Sequence, residues 1–175
     1  MKKKVLSIIL ALSMMVVMLA GCGKEEKISS EEMKYRLPHN KELSFTTQEK
    51  QIVEKDGLVP ADKENSYKGV DETIKIDGIE GQLFYDFDVD GTFNSYTWIG
   101  IADDYKGAVD ELYEYFIPVY GDGKKITDYV AVLAGDVGYY WSVTNNDVSY
   151  RVMVYYCEQL NTDNNYIWFK ILKEE

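Results

Sequence analysis

The chain has 175 residues, 30 acidic against 19 basic side chains for a formal charge of −11, one histidine and two cysteines. So acidic a balance leaves no basic stripe for nucleic acid. The His and Cys counts argue against a histidine-rich zinc site, a disulfide framework or a Ser-His-Asp nucleophilic site. In chain order, Lys2, Lys3 and Lys4 come first, Val5 to Leu19 is apolar almost throughout, and small residues then lead into Cys22. That order reads as a secretory signal peptide, and an apolar run of about 15–17 residues is shorter than the roughly 20 a spanning helix needs.

The Leu19-Ala20-Gly21-Cys22 ending resembles the lipobox of bacterial lipoproteins. The resemblance implies that residues 1–21 are cleaved and that Cys22 becomes the lipidated first residue of an extracytoplasmic chain. Each buried CH₂ contributes about 0.8 kcal/mol, so two or three acyl chains hold on a bilayer where one binds reversibly. Cleavage removes three lysines and no acid, leaving 16 cationic against 30 anionic side chains and a charge of −14. Such a domain is repelled by anionic headgroups, and lipid is its hold on the membrane. Cys157 is then without a partner, and its run Val152 to Cys157 suits a buried, inert thiol.

Residues 22–43 are rich in Lys, Glu and Ser, with a Pro38-His39-Asn40 break, and read as a flexible tether. A single domain is expected over 44–175. Thr46 and Glu49 match a capping box with Phe45 just outside it. Ile52 and Val53 supply an inward stripe before Asp56-Gly57 stops the helix. Val59 to Lys68 reads as a loop, and Thr73 to Ile76 as a strand. From Leu83 to Asp90 apolar and acidic residues alternate, and Asp90-Gly91 suits a two-residue type I′ hairpin loop. That register sets Tyr85 against Tyr96 and Leu83 against Trp98.

Asp103 or Asp104 caps the next helix, in which Tyr105, Ala108, Val109, Leu112, Tyr113 and Phe116 form one stripe. Pro118 and Gly121 end it. A second hairpin is expected over Tyr139 to Thr144 and Asp147 to Tyr156, turning at Asn145-Asn146, with Trp141 against Tyr150 and Val143 against Val148. Tyr166 to Leu172 is the last strand. The expected fold is α+β, an antiparallel sheet of about six strands with two helices on one face in the order αβββ-αβββ.

Tyr85-x-Phe87, a Gly turn, Trp98, a helix ending in Tyr120-Gly121, then Trp141 and a final aromatic strand resemble a group of small Firmicutes lipoproteins. Their architecture is similar to that of beta-lactamase inhibitor protein and of the small lipoproteins of outer-membrane assembly. The resemblance spans roughly Ser44 to Leu172 and rests on aromatic core positions, so it speaks to fold. Asp122-Gly123-Lys124 replaces the proline usual after Tyr-Gly, and the resemblance implies no catalytic residues and no cofactor.

Asp86, Asp88, Asp90 and Gly91 match the opening of a calcium loop, but Thr97 stands where its bidentate acid belongs. The hairpin accounts for the same residues. Acid pairs such as Asp103-Asp104 and Glu111-Glu114 suit helix capping and a solvated face better than glycoside hydrolysis. Fifteen tyrosines and three tryptophans exceed what the core positions take up. Phe84 and Phe93, with Tyr140, Tyr155 and Trp168, are therefore candidates for an exposed face. With Asp86 and Asp88 beside them, that face suits a basic protein partner. The expectation is a non-catalytic protein-interaction module at the membrane; the alternative is a small-ligand or calcium-binding lipoprotein.

Overall fold

A computed structural model describes residues 29–70, 74–126, 137–158 and 165–174. The leader, Cys22 and the side chain of Cys157 lie outside the described residues. Among the described residues, three helices, α1 (Ser30–Met33), α2 (Glu49–Lys55) and α3 (Tyr105–Tyr120), accompany nine strands. The strands are β1 (Val59–Pro60), β2 (Ser66–Lys68), β3 (Ile74–Ile76), β4 (Ile79–Phe87), β5 (Phe93–Ile101), β6 (Lys124–Lys125), β7 (Val137–Asn145), β8 (Val148–Glu158) and β9 (Asn165–Lys173). They form one sheet in the order β1-β2-β4-β5-β9-β8-β7-β6, with β3 paired to the start of β4. Every pairing is antiparallel.

This corrects the expected six-strand, two-helix αβββ-αβββ arrangement. The additional strands β1, β2 and β6 are two or three residues long. That is too short to show a period of two, and β1 and β2 occupy the stretch read as a loop. A single extra turn, α1, is closed by a capping box between Ser29 and Glu32.

All three helices lie toward one face of the sheet. The stripe of α3 packs as its spacing requires: Ala108, Val109, Leu112 and Phe116 are buried, and Phe116 stacks on Phe169 with ring centroids 4.5 Å apart. Asp104 caps this helix through the Gly107 amide, and Gly121 leaves it at φ +77°. Pro118 lies within the last turn rather than after it. On the same face, Trp98 is fully buried and donates from Nε1 to the Ile74 carbonyl at 3.0 Å. Its indole lies over the cross-strand pair Gly81 and Gly100, where any side chain would collide with the ring.

The two hairpins depart from their expected turns in different ways. In β4–β5 the amide of Gly91 donates to the Asp88 carbonyl and only Gly91 has positive φ. This is a type I turn followed by a left-handed glycine, not type I′. Tyr85 faces Tyr96 and Leu83 faces Trp98 as expected, but a bulge between Asp86 and Phe87 then pairs Phe87 with Phe93. One residue of slip turns a side chain to the other face. Phe93 is consequently inward, and Val89 stands almost fully exposed at the turn. In β7–β8 the loop is Asn146-Asp147, both at positive φ (48° and 65°), with Asn145 facing Val148. Trp141 therefore faces Val152 and Val143 faces Tyr150. A slip of two leaves every side chain on its expected face.

The segment assigned to the tether is also revised. Leu37 and Leu43 are fully buried. The Leu37 amide donates to the Leu43 carbonyl at 3.0 Å, and Arg36 bridges Ser44. The packed fold thus includes residues well before Ser44, and the tether boundary at 43 lies too far along the chain.

Candidate interaction surface

Among the described residues, no helix lies over the second face of the sheet. Strand alternation sends Gln82, Phe84 and Asp86 of β4 to this side, with Ile99 of β5, Trp168 and Lys170 of β9, and Met153 and Tyr155 of β8. All of these are partly exposed. Tyr155 and Trp168 stack at 6.1 Å. Trp168 Nε1 is buried and has no hydrogen-bond partner among the described residues. Beside it, a depression of about 760 Å³ is lined by Gln82, Ile99, Ile101, Tyr166 and Trp168 among others. Ile101 is 70% exposed at its rim. A second depression of similar size runs between Asp88, Asn94, Arg151, Met153 and Leu172.

Phe84 occupies this face as expected. Phe93 does not: the bulge buries it at 3% exposure, against Phe45 at 5.7 Å and Tyr150 at 6.1 Å. The two phenylalanines therefore cannot act as one surface. Tyr140, Tyr155 and Trp168 do share the face with Phe84, as their strand parity indicated.

The acidic residues are already engaged. Asp86 accepts from Ser66, from Ser95 at 2.9 Å and from Lys63 at 3.4 Å. Burial would raise its carboxyl, but those donors outweigh burial and hold it below its ordinary range. Lys173 donates to Asp88 at 2.6 Å, with Asn94 and Thr92 completing its contacts. The Lys173 hydrogen bond is the main reason Asp88 is also held low. Asp90 accepts from the Thr92 hydroxyl and amide. The three carboxylates thus serve bonds within the fold, Asp88 and Asp90 sharing the Thr92 hydroxyl, and no group of three or more His, Cys, Asp or Glu that could hold a metal occurs among the described residues. The acidic charge expected to attract a basic partner is spent within the fold.

One polar cluster had no sequence signal beyond the lone histidine. His39 Nε2 lies 2.9 Å from Asp56, Asn40 donates to the same carboxylate at 3.0 Å, and Tyr85 donates to it at 2.7 Å. Tyr96 approaches His39 Nδ1 at 3.2 Å. A proton on Nε2 satisfies both ring nitrogens, with Tyr96 as the second donor. The His39 and Asp56 side chains are 6% and 4% exposed. Buried in this way, the cluster joins the residues on both sides of α2 to Tyr85 and Tyr96 of the sheet.

A groove of about 610 Å³ opens where the turn before α2 meets the β4–β5 hairpin. Its aromatic walls, Phe45, Phe93 and Tyr150, are at most 5% exposed, leaving little ring surface for a ligand to stack on. No protein-family model, curated protein or solved structure matches this chain. Among the described residues, no helix is long and apolar enough to cross a membrane.

Proposed function

We propose that this chain is a lipid-anchored, extracytoplasmic, non-catalytic module that binds a protein through the uncovered face of its sheet. The observation that carries the reading is the apolar and aromatic strip Phe84, Ile99, Trp168, Tyr155 and Met153, over which no helix lies among the described residues. Apolar surface rimmed by polar residues is a feature of protein–protein interaction sites. Clustered aromatics are also the residues on which binding energy concentrates. The Lys-Lys-Lys leader and the Leu-Ala-Gly-Cys ending support the anchor at Cys22.

The test places a photo-cross-linking amino acid at Trp168, and separately at Glu111 on the helix side, in the full chain in cells. A discrete protein adduct from position 168 and none from 111 is the expected result. Equal adducts from both, or none from either, would remove the reading. Metabolic labelling with a fatty-acid analogue should mark the chain and be lost in Cys22→Ser, and labelling that survives the substitution, or none in the parent chain, would refute the lipid anchor.

A further inference from the structure

Cross-strand pairing aligns seven side chains into one row across the uncovered face: Lys68, Phe84, Thr97, Lys170, Met153, Tyr140 and Lys124. Lysines stand first, fourth and last, with Phe84, Met153 and Tyr140 between them. Three carboxylates on this side of the sheet pair with other cations: Glu80 with Lys75, Asp86 with Lys63, Glu174 with Arg151. Lys68, Lys124 and Lys170 have no carboxylate partner among the described residues, although Lys124 lies 6.0 Å from the Tyr140 ring. In a chain of net charge −11, the unneutralised charges of this row are all positive.

We infer that this row receives an extended acidic segment of a partner protein, lying across the strands. The inference rests on the module reading above and names its partner class. Neighbouring strands are about 4.8 Å apart, so lysines three strands apart are spaced by about 14 Å. An extended chain advances about 3.4 Å per residue and returns to the same side every second residue. Its residues four apart are therefore spaced by about 14 Å on one side, with the intermediate same-side residue midway. The matching pattern is acid-x-apolar-x-acid-x-apolar-x-acid, with carboxylates on the lysines and apolar side chains over Phe84, Met153 and Tyr140. A second copy meeting this face with its own would set lysine against lysine, which opposes a symmetric dimer.

The experiment measures binding of labelled nonapeptides to the soluble chain by fluorescence anisotropy at low and moderate salt. The probe is Glu-Ser-Phe-Ser-Glu-Ser-Phe-Ser-Glu, beside a version with Lys for Glu and one with the same residues in scrambled order. Saturable binding of the first alone is expected, weakened by salt. Lys170→Glu and Lys124→Glu should each weaken it at least tenfold, and Lys50→Glu, on the helix side, less than twofold. Matching thermal melts for the variants, together with the exposed position of Lys124, separate lost binding from lost folding.

Equal binding of the Lys or scrambled peptide, or no binding of any, overturns the inference. So does tighter binding of polyglucuronate, which would assign the row to an anionic polymer. Self-association abolished by Lys170→Glu would instead assign it to another copy of the chain. A protein adduct from position 168 without peptide binding removes the acidic segment and leaves the module reading intact. Peptide binding without an adduct removes the module reading, and with it the partner segment for which the peptide stands.

Discussion

Asp56 shows how a single carboxylate can tie distant parts of the chain together. Burial works against its charge, but hydrogen bonds from His39, Tyr85 and Asn40 outweigh burial and hold the carboxyl below its ordinary range. The Tyr85 hydroxyl is correspondingly pushed well up, by burial first and then by the Tyr96 and Asp56 charges. A carboxyl held low in the folded state contributes stability above the ordinary carboxylate range near pH 4. That contribution is lost as pH falls through the lower folded value. Urea denaturation should show stability falling below about pH 4, and Asp56→Asn should flatten part of that slope. Parallel slopes for the two chains would show that Asp56 is not the group responsible. Phe93 and Phe84 make the complementary comparison. Phe93→Ala empties a buried site and should cost about 3–5 kcal/mol. Phe84→Ala, on the uncovered face, should cost clearly less, about 1 kcal/mol. Equal losses by chemical denaturation would contradict the bulge that separates them.

At the scale of elements, turn chemistry decides what the strands present. Asn146 and Asp147 both adopt positive φ, which glycine accepts without a steric penalty. Asp147→Gly should therefore stabilise the protein by a few tenths to about 1 kcal/mol in thermal melts, as relief of a left-handed residue allows. A loss of stability would mean the β7–β8 loop is not the Asn146-Asp147 turn. These turns also explain what could be read from sequence. Long elements with a clear period were legible: the α3 stripe, the Tyr85–Tyr96 register and β9 all follow from alternation or helical spacing. The β7–β8 register was misplaced by two because Asn145-Asn146 and Asn146-Asp147 are equally good turn pairs. Phe93 was misassigned because a bulge leaves no mark on hydrophobic periodicity. Strands β1, β2 and β6 are stabilised by the neighbours they pair with, and two or three residues contain no pattern to find. Of the candidate surface, the aromatics were legible from strand parity. The lysine row was not, since it depends on seven strands being assembled in one order.

Across the whole molecule, the lone histidine and the apparently polar stretch around it are structural. Pro38, His39 and Asn40 look like tether residues because their polar groups suggest solvent. In the fold, His39 and Asn40 instead saturate Asp56, while Leu37 and Leu43 on either side enter the core with no exposure. A chain beginning at Ser44 loses both leucines and two of the donors to Asp56. Removing one buried leucine costs about 2–5 kcal/mol, and orphaning a buried carboxylate adds more. Against the 5–15 kcal/mol that typically separates folded from unfolded domains, the combined loss is comparable to the whole. A chain beginning at Ser29 should therefore melt cooperatively, while one beginning at Ser44 should show a strongly lowered or absent transition by calorimetry. Leu37→Ala in the longer chain should fall between them, by the cost of one cavity. If the two truncations melt together, the segment before Ser44 contributes nothing to the core and the tether does extend to residue 43. Otherwise the packed fold begins before Leu37, and that leucine, Leu43 and the donors between them belong to the domain.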